Sequence, residues 1–89
     1  MSTHTSHPAI IKRLKRANGH LLSIVVMLEE GRACLDIAQQ LQAVESAINS
    51  AKKTLIHDHL GQCMEHAVDE GSKDAREVID EFRAIAKYL

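Results

Sequence analysis

The sequence has very few aromatic side chains. Among 89 residues, Phe82 and Tyr88 are the only two, and tryptophan is absent. A core must therefore be filled by leucine, isoleucine, valine and alanine, which suits interdigitating helices. Proline occurs once and glycine four times, so the turn signals that separate strands are scarce, and no strand pattern is visible. These shortages favour an all-α chain.

Long apolar runs are also missing, and the first eight residues are polar, so we expect neither a membrane span nor a secretory leader. The expected compartment is the cytoplasm. There, the two cysteines are better explained as thiols for metal or redox chemistry than as a disulfide. The length predicts one domain spanning residues 1–89.

Acidic residues are absent from residues 1–28, although the whole chain has a net charge of −1. A local basic face can bind a polyanion even on a neutral protein. Arg16 and His20 lie one helical turn apart, and Lys52 and Lys53 add charge near the middle of the chain. The run is either a solvated face or a DNA contact, and no helix-turn-helix pattern decides between them. The basic residues of the run are Lys12, Arg13, Lys15 and Arg16.

Apolar periodicity predicts three helices, at about 8–30, 33–69 and 72–88, behind a flexible leader at 1–7. Pro8 suits a first helical turn, Gly31 a left-handed cap and Ser72 an N-cap. The apolar positions of the first helix are Ile11, Leu14, Leu21, Val25 and Leu28. Those of the middle helix are Cys34, Ile37, Leu41, Val44, Ile48, Ala51 and Leu55. Those of the third helix are Val78, Ile79, Phe82, Ile85 and Ala86.

The middle helix is too long for a compact monomer. At 1.5 Å per residue it would extend roughly 55 Å, and two shorter helices of the same chain cannot cover it. Antiparallel pairing with an identical chain, centred near residue 47, is the simplest solution and predicts at least a dimer. The alternative is a break at Gly61 that would give a four-helix monomer.

The segment LIHDHLGQCMEH at 55–66 concentrates potential metal ligands. His59 and Cys63 share a helix face at i and i+4, and a third ligand is needed for tight binding. Cys34 is the candidate, but on a straight helix it lies about 37 Å from His59, so the two meet only across a twofold axis. The alternative is that both cysteines are small core residues. His57 and His66 are better explained as surface residues.

The segments IKRLKRANGHL at 11–21, GRACLDIAQQLQAVESAI at 31–48 and HDHLGQC at 57–63 resemble the CsoR/RcnR family of small metal-sensing repressors, most of all its NreA nickel-resistance type. The resemblance implies an antiparallel four-helix-bundle dimer that pairs into a homotetramer. It also implies an operator DNA that is released when metal binds. The metal set would be Cys34, His59 and Cys63. The family's DNA contacts would fall on Arg13, Lys15 and Arg16, with Lys52 and Lys53 as further candidates.

The choice of metal depends on the residues around this set. Two thiolates and one imidazole suit Cu(I), and they also suit Ni(II) if a fourth nitrogen is found, whereas Zn(II) would accept a tetrahedral version. His4 and His7 in the leader are either a solvated tail or that nitrogen source. Copper sensors of the family carry a tyrosine where this chain has Ala33, and an arginine near the dimer centre where it has Asn49. We therefore favour Ni(II), with Co(II), Cu(I) and Zn(II) as alternatives.

Two other functions remain open from the sequence. One is a cytosolic helical metal-binding protein without DNA binding, suggested by the near-neutral net charge. The other is a covalent sensor of formaldehyde or persulfide that acts through Cys34. An enzyme is not expected, because no set of nucleophile, base and orienting residue is visible.

Overall fold

The computed structural model describes residues 6–70 and 75–89, with only the backbone described at 63, 66–70 and 75. Three helices follow one another: α1 (His7–Glu29), α2 (Cys34–Glu70) and α3 (Ala75–Ala86). No strand occurs within these ranges. The prediction of an all-α chain with a long middle helix is confirmed. No helix in the described part is both long and apolar enough to cross a membrane.

Helix α1 begins one residue before the predicted start. The backbone N–H of Ile10 donates to the carbonyl of Ser6 at 3.0 Å, which closes the first turn. Pro8 occupies the first turn, where its missing N–H would have no intrahelical acceptor. His7 is therefore part of the helix, and the prediction that it belongs to a flexible leader is wrong. Residues 1–5, including His4, lie outside the described residues.

Helix α1 ends in a Schellman turn around Gly31. The N–H of Arg32 donates to the carbonyl of Met27 at 3.0 Å, and the N–H of Gly31 donates to that of Leu28 at 3.1 Å. Gly31 has a φ of 72°, a conformation that glycine adopts without a steric penalty. This turn reverses the chain after few residues, so α1 and α2 pack antiparallel.

Helix α2 continues through Gly61, so the alternative of a break there, which would give four helices, is wrong. One glycine in a helix interior costs only about 1 kcal/mol relative to alanine, too little to end a helix of 37 residues. The described chain is correspondingly elongated, with extents of 59 × 23 × 13 Å. Any N-cap contribution of Ser72 lies outside the described residues.

The contact between α1 and α2 follows a seven-residue repeat. Ile24, Ile37 and Val44 form the buried cluster, with Met27 packed against it. Buried positions recur every seven residues along α1 and along α2 as far as Ala51, as in a coiled coil. They are Ile10, Ala17 and Ile24 on α1, and Ile37, Val44 and Ala51 on α2, and Ile56 adds a buried position five residues after Ala51.

The apolar face predicted for α1 does not contact α2. The five side chains predicted there are all exposed: Ile11, Leu14, Leu21, Val25 and Leu28. A different set of α1 residues is buried instead: Ile10, Ala17 and Ile24. The residues predicted for the apolar face of the middle helix also include both buried and exposed positions. Ile37, Val44 and Ala51 are buried against α1, whereas three side chains that we call the open stripe remain 38–46% exposed: Leu41, Ile48 and Leu55.

Helix α3 packs against α2 and makes no contact with α1 within the described ranges. Val78, Ile85 and Ala86 are half-buried, whereas Ile79 and Phe82 remain exposed. Only part of the predicted apolar face of α3 is therefore covered within one chain.

Candidate metal centre and nucleic-acid interface

Cys34 is the first residue of α2 and carries a free, exposed thiol. It lies seven residues before Leu41 and therefore continues the open stripe toward the N-terminal end of the helix. The side chain is accessible from the same face that lacks a covering element. This position suits a ligand shared with another chain better than a core residue.

His59 lies near the other end of the same helix and is half-buried. Because α2 is continuous, the 25 residues between Cys34 and His59 correspond to about 37 Å along its axis. One protomer therefore keeps these two residues apart. The backbone of Cys63 follows His59 by one helical turn, and its side chain lies outside the described residues. Among the described side chains of a single chain, no three histidines, cysteines or acids form a group that could hold a metal ion.

His7 lies at the same end of the molecule as His59. Two hydrogen bonds define the antiparallel register of α1 and α2: Arg13 with Ser50 and His20 with Gln40. Continuing this register places His7 level with residues 53–56, a few residues before His59, which is within roughly 10 Å along the helix axis. The side chain of His7 is half-buried, and that of His57 is exposed. The side chain of His66 lies outside the described residues.

The basic residues of α1 lie beside a groove between α1 and α2. Arg13, Lys15 and Arg16 are exposed. Arg13 Nη1 donates a hydrogen bond to Ser50 Oγ at 3.4 Å, and His20 Nε2 is hydrogen-bonded to Gln40 Oε1. We call this opening the basic groove; its volume is about 290 Å³, and it is lined by Arg13, Arg16, Ala17, His20, Ala47 and Ser50.

The two lysines proposed from the sequence lie in different surroundings. Lys53 is exposed on α2. Lys52 instead lines a second groove of about 500 Å³ along the open stripe, together with Leu41, Val44, Glu45, Ile48 and Asn49. Lys52 therefore lies on the face where a partner chain would pack.

Two polar residues of the basic groove were not among the residues proposed from the sequence. His20 could have been suspected from its position one turn after Arg16. Ser50 has no local signal, because its proximity to Arg13 depends on the register between two helices.

Comparison with known proteins identifies the family of this chain. Residues 6–87 match the family model described as metal-sensitive transcriptional repressor. The chain belongs to this family. Its members are transcriptional repressors and not enzymes, as expected from the sequence.

Curated relatives include the copper-sensing transcriptional repressor CsoR of Mycobacterium ulcerans (strain Agy99), which is 40% identical over 80 residues, or 90% of this chain and 67% of that protein. CsoR of Bacillus subtilis (strain 168) is 34% identical over 88% of this chain and 79% of its own length. The match to CsoR of Mycobacterium bovis (strain BCG / Pasteur 1173P2) covers 62% of that protein. The chain thus spans about two thirds of the length of its mycobacterial relatives.

A solved structure has the same fold. The nickel-responsive transcriptional regulator InrS superposes with a TM-score of 0.84 over 100% of this chain and 99% of that chain, at 24% sequence identity. At this identity the likeness concerns the fold alone.

Proposed function

We propose that this protein is a cytoplasmic, metal-responsive transcriptional repressor. Its metal-free form binds operator DNA, and binding of Ni(II) at a cysteine and histidine site between two chains releases the DNA. The observation that carries the proposal is the position of Cys34 and His59 at opposite ends of one uninterrupted, partly uncovered helix. In an antiparallel pair of α2 helices, Cys34 of one chain would lie beside His59 of the other.

The proposed site consists of Cys34 from one protomer with His59 and Cys63 from the other. The donor set fits a borderline or soft transition metal, because thiolate and imidazole are the ligands that such ions prefer. Bound metal would supply positive charge that links thiolates of two chains. In a symmetric dimer the set occurs twice, so metal binding favours one arrangement of the subunits over others.

Ni(II) is the proposed metal, and Co(II), Cu(I) and Zn(II) are the alternatives. Ni(II) in a square-planar site needs a fourth donor beyond two thiolates and one imidazole. His7 supports this choice, because the α1–α2 register brings it within about two turns of His59. His4 precedes it by three residues and is the second candidate donor. Copper sensing by relatives supports metal binding in general and leaves Cu(I) as the main competitor.

Operator DNA is the proposed partner because exposed cations lie together on α1 with no acid among residues 1–28. Arg13, Lys15 and Arg16 would contact phosphates, with Lys53 as a peripheral contact. Lys52 would contribute only where the partner chain leaves it accessible. The assembly would be a dimer with shared sites, pairing into a tetramer.

The deciding experiment combines DNA binding with metal titration. Fluorescence anisotropy of DNA from upstream of the protein's own gene should show binding by the apo-protein and release on addition of Ni(II). The Ni(II) complex should show thiolate-to-metal charge-transfer absorption that disappears in Cys34→Ala, while His57→Ala, which changes an exposed histidine on the same helix, keeps it.

Each other outcome identifies an alternative. Metal binding without DNA binding would indicate a metal-binding protein. Release of DNA by formaldehyde or persulfide with a covalent mass change at Cys34 would indicate a covalent sensor. If His4→Ala and His7→Ala leave Ni(II) affinity unchanged and only Cu(I) releases DNA, the protein is a copper sensor.

A further inference from the structure

The basic groove concentrates hydrogen-bond donors without any acid. Arg13, Arg16 and His20 line it from one face of α1, and Ser50 lines it from α2. The remaining lining residues, Ala17 and Ala47, are small and leave the space open. A volume of about 290 Å³ corresponds to roughly ten water molecules at about 30 Å³ each. One phosphate group with part of its hydration shell fits such a space.

Ser50 orients one of the arginines and keeps a donor of its own. Its Oγ accepts a hydrogen bond from Arg13 Nη1, so the hydroxyl hydrogen remains available to an anion. The contact also restricts the guanidinium group, whose fork of donors matches the oxygens of a phosphate. Arg13 and Ser50 therefore form a pair that can bind the same anion from two helices.

His20 is fixed by a hydrogen bond across the helix pair. The hydrogen bond to Gln40 occupies Nε2, so Nδ1 is the ring nitrogen that remains to contact a bound group. The charged groups lining the groove from α1 are Arg13 and Arg16, and α2 contributes no charged group to its lining. Helix α3 does not contact α1 within the described ranges. No lining carboxylate would neutralise that charge.

We propose that the basic groove binds a backbone phosphodiester of duplex DNA, with His20 and Ser50 as contact residues beside Arg13 and Arg16. Gln40 is a positioning residue that holds the imidazole at the groove. The inference rests on the proposed function and deepens it. It adds one contact residue from each of α1 and α2 to the two arginines that line the groove.

The test uses the full apo-protein and a short DNA duplex of arbitrary sequence at low salt, because phosphate contacts do not depend on sequence. His20→Gln should weaken binding by about fivefold, the effect of one lost hydrogen bond, and the matched control His57→Gln should bind as the native chain does. Gln40→Leu should weaken binding in the same direction, while the salt dependence due to Arg13 and Arg16 persists.

Ser50→Ala should weaken binding about fivefold, the effect of one lost hydrogen bond. Ser23→Ala is its control, since the Ser23 hydroxyl bonds to the Gly19 carbonyl of its own helix. Circular dichroism should show unchanged helix content in all variants.

The outcomes separate this inference from the proposed function. If His20→Gln and Ser50→Ala bind the arbitrary duplex as the native chain does, the phosphodiester assignment is wrong while a repressor function stands. If the native apo-protein binds no duplex at low salt, the repressor function itself fails. If inorganic phosphate shifts the imidazole NMR signals of His20 and the DNA duplex does not, the groove is a small-anion site and the DNA assignment is wrong.

Discussion

Arg13 and Arg16 are exposed guanidinium groups one turn apart on the acid-free first helix. Each phosphate contact by a cation releases counterions, so its loss lowers the slope of log affinity against log salt by about one unit. We expect Arg13→Ala and Arg16→Ala each to weaken operator binding and reduce that slope, with metal affinity unchanged. Arg83→Ala, which removes an exposed arginine from α3, is the control. Unchanged salt slopes in both variants would mean that the basic run is only a solvated face.

At the same scale, the sequence identified residues whose proposed role follows from their spacing along one helix. It missed residues whose contacts depend on how two helices are aligned with each other. The spacing of His59 and Cys63 needs only the helical repeat, and the lysines and arginines of α1 are visible as a run. Ser50 carries no such signal, because it acquires its contact with Arg13 only when two helices pack with one particular offset. For Lys52 the sequence was misleading in the other direction. Its charge suggested a contact with DNA, whereas its side chain lines the groove along the open stripe.

The helices themselves depend on two glycines in opposite ways. An added Cβ at Gly61 would meet nothing within 4 Å, and Gly61 lies inside α2. Gly61→Ala should therefore stabilise the fold by about 0.5–1 kcal/mol, since alanine loses less backbone entropy in a helix. At Gly31, where φ is +72°, Gly31→Ala should cost about 1–2 kcal/mol. Thermal unfolding followed by circular dichroism measures both. A loss of stability in Gly61→Ala would mean that a partner chain approaches that backbone.

At the scale of the helices, only part of the packing could be predicted from the sequence. Periodicity alone identified three helices and the cap at Gly31, because these are properties of contiguous residues. It could not tell which of two apolar stripes on α1 faces α2. Ile10 and Ile24 pack inward beside the small Ala17, whereas the stronger-looking stripe through Leu14 and Leu21 remains exposed. That choice depends on the close approach of two particular helices.

The whole chain is more extended than a compact monomer of its length. Its radius of gyration is 18.1 Å, compared with about 12 Å for a compact chain of this length. Large apolar side chains stay exposed on all three helices. Burying apolar surface is the main source of stability, so the proposed twofold pairing would gain stability by covering the open stripe.

A substitution at Ile48 tests whether a second chain covers the open stripe. Ile48 lies at the centre of the open stripe and is 46% exposed in the single chain. Ile48→Glu should leave the helices of one chain intact but bury a charge in any dimer, which is strongly unfavourable. Light scattering should then give a mass near 9.9 kDa, whereas the native chain should give at least twice that value. Ni(II) affinity should fall together with the dimer, although every proposed ligand is still present. Leu89→Glu, at a 57% exposed C-terminal position, should change neither property. A monomeric Ile48→Glu variant that still binds Ni(II) tightly would show that the site does not need two chains.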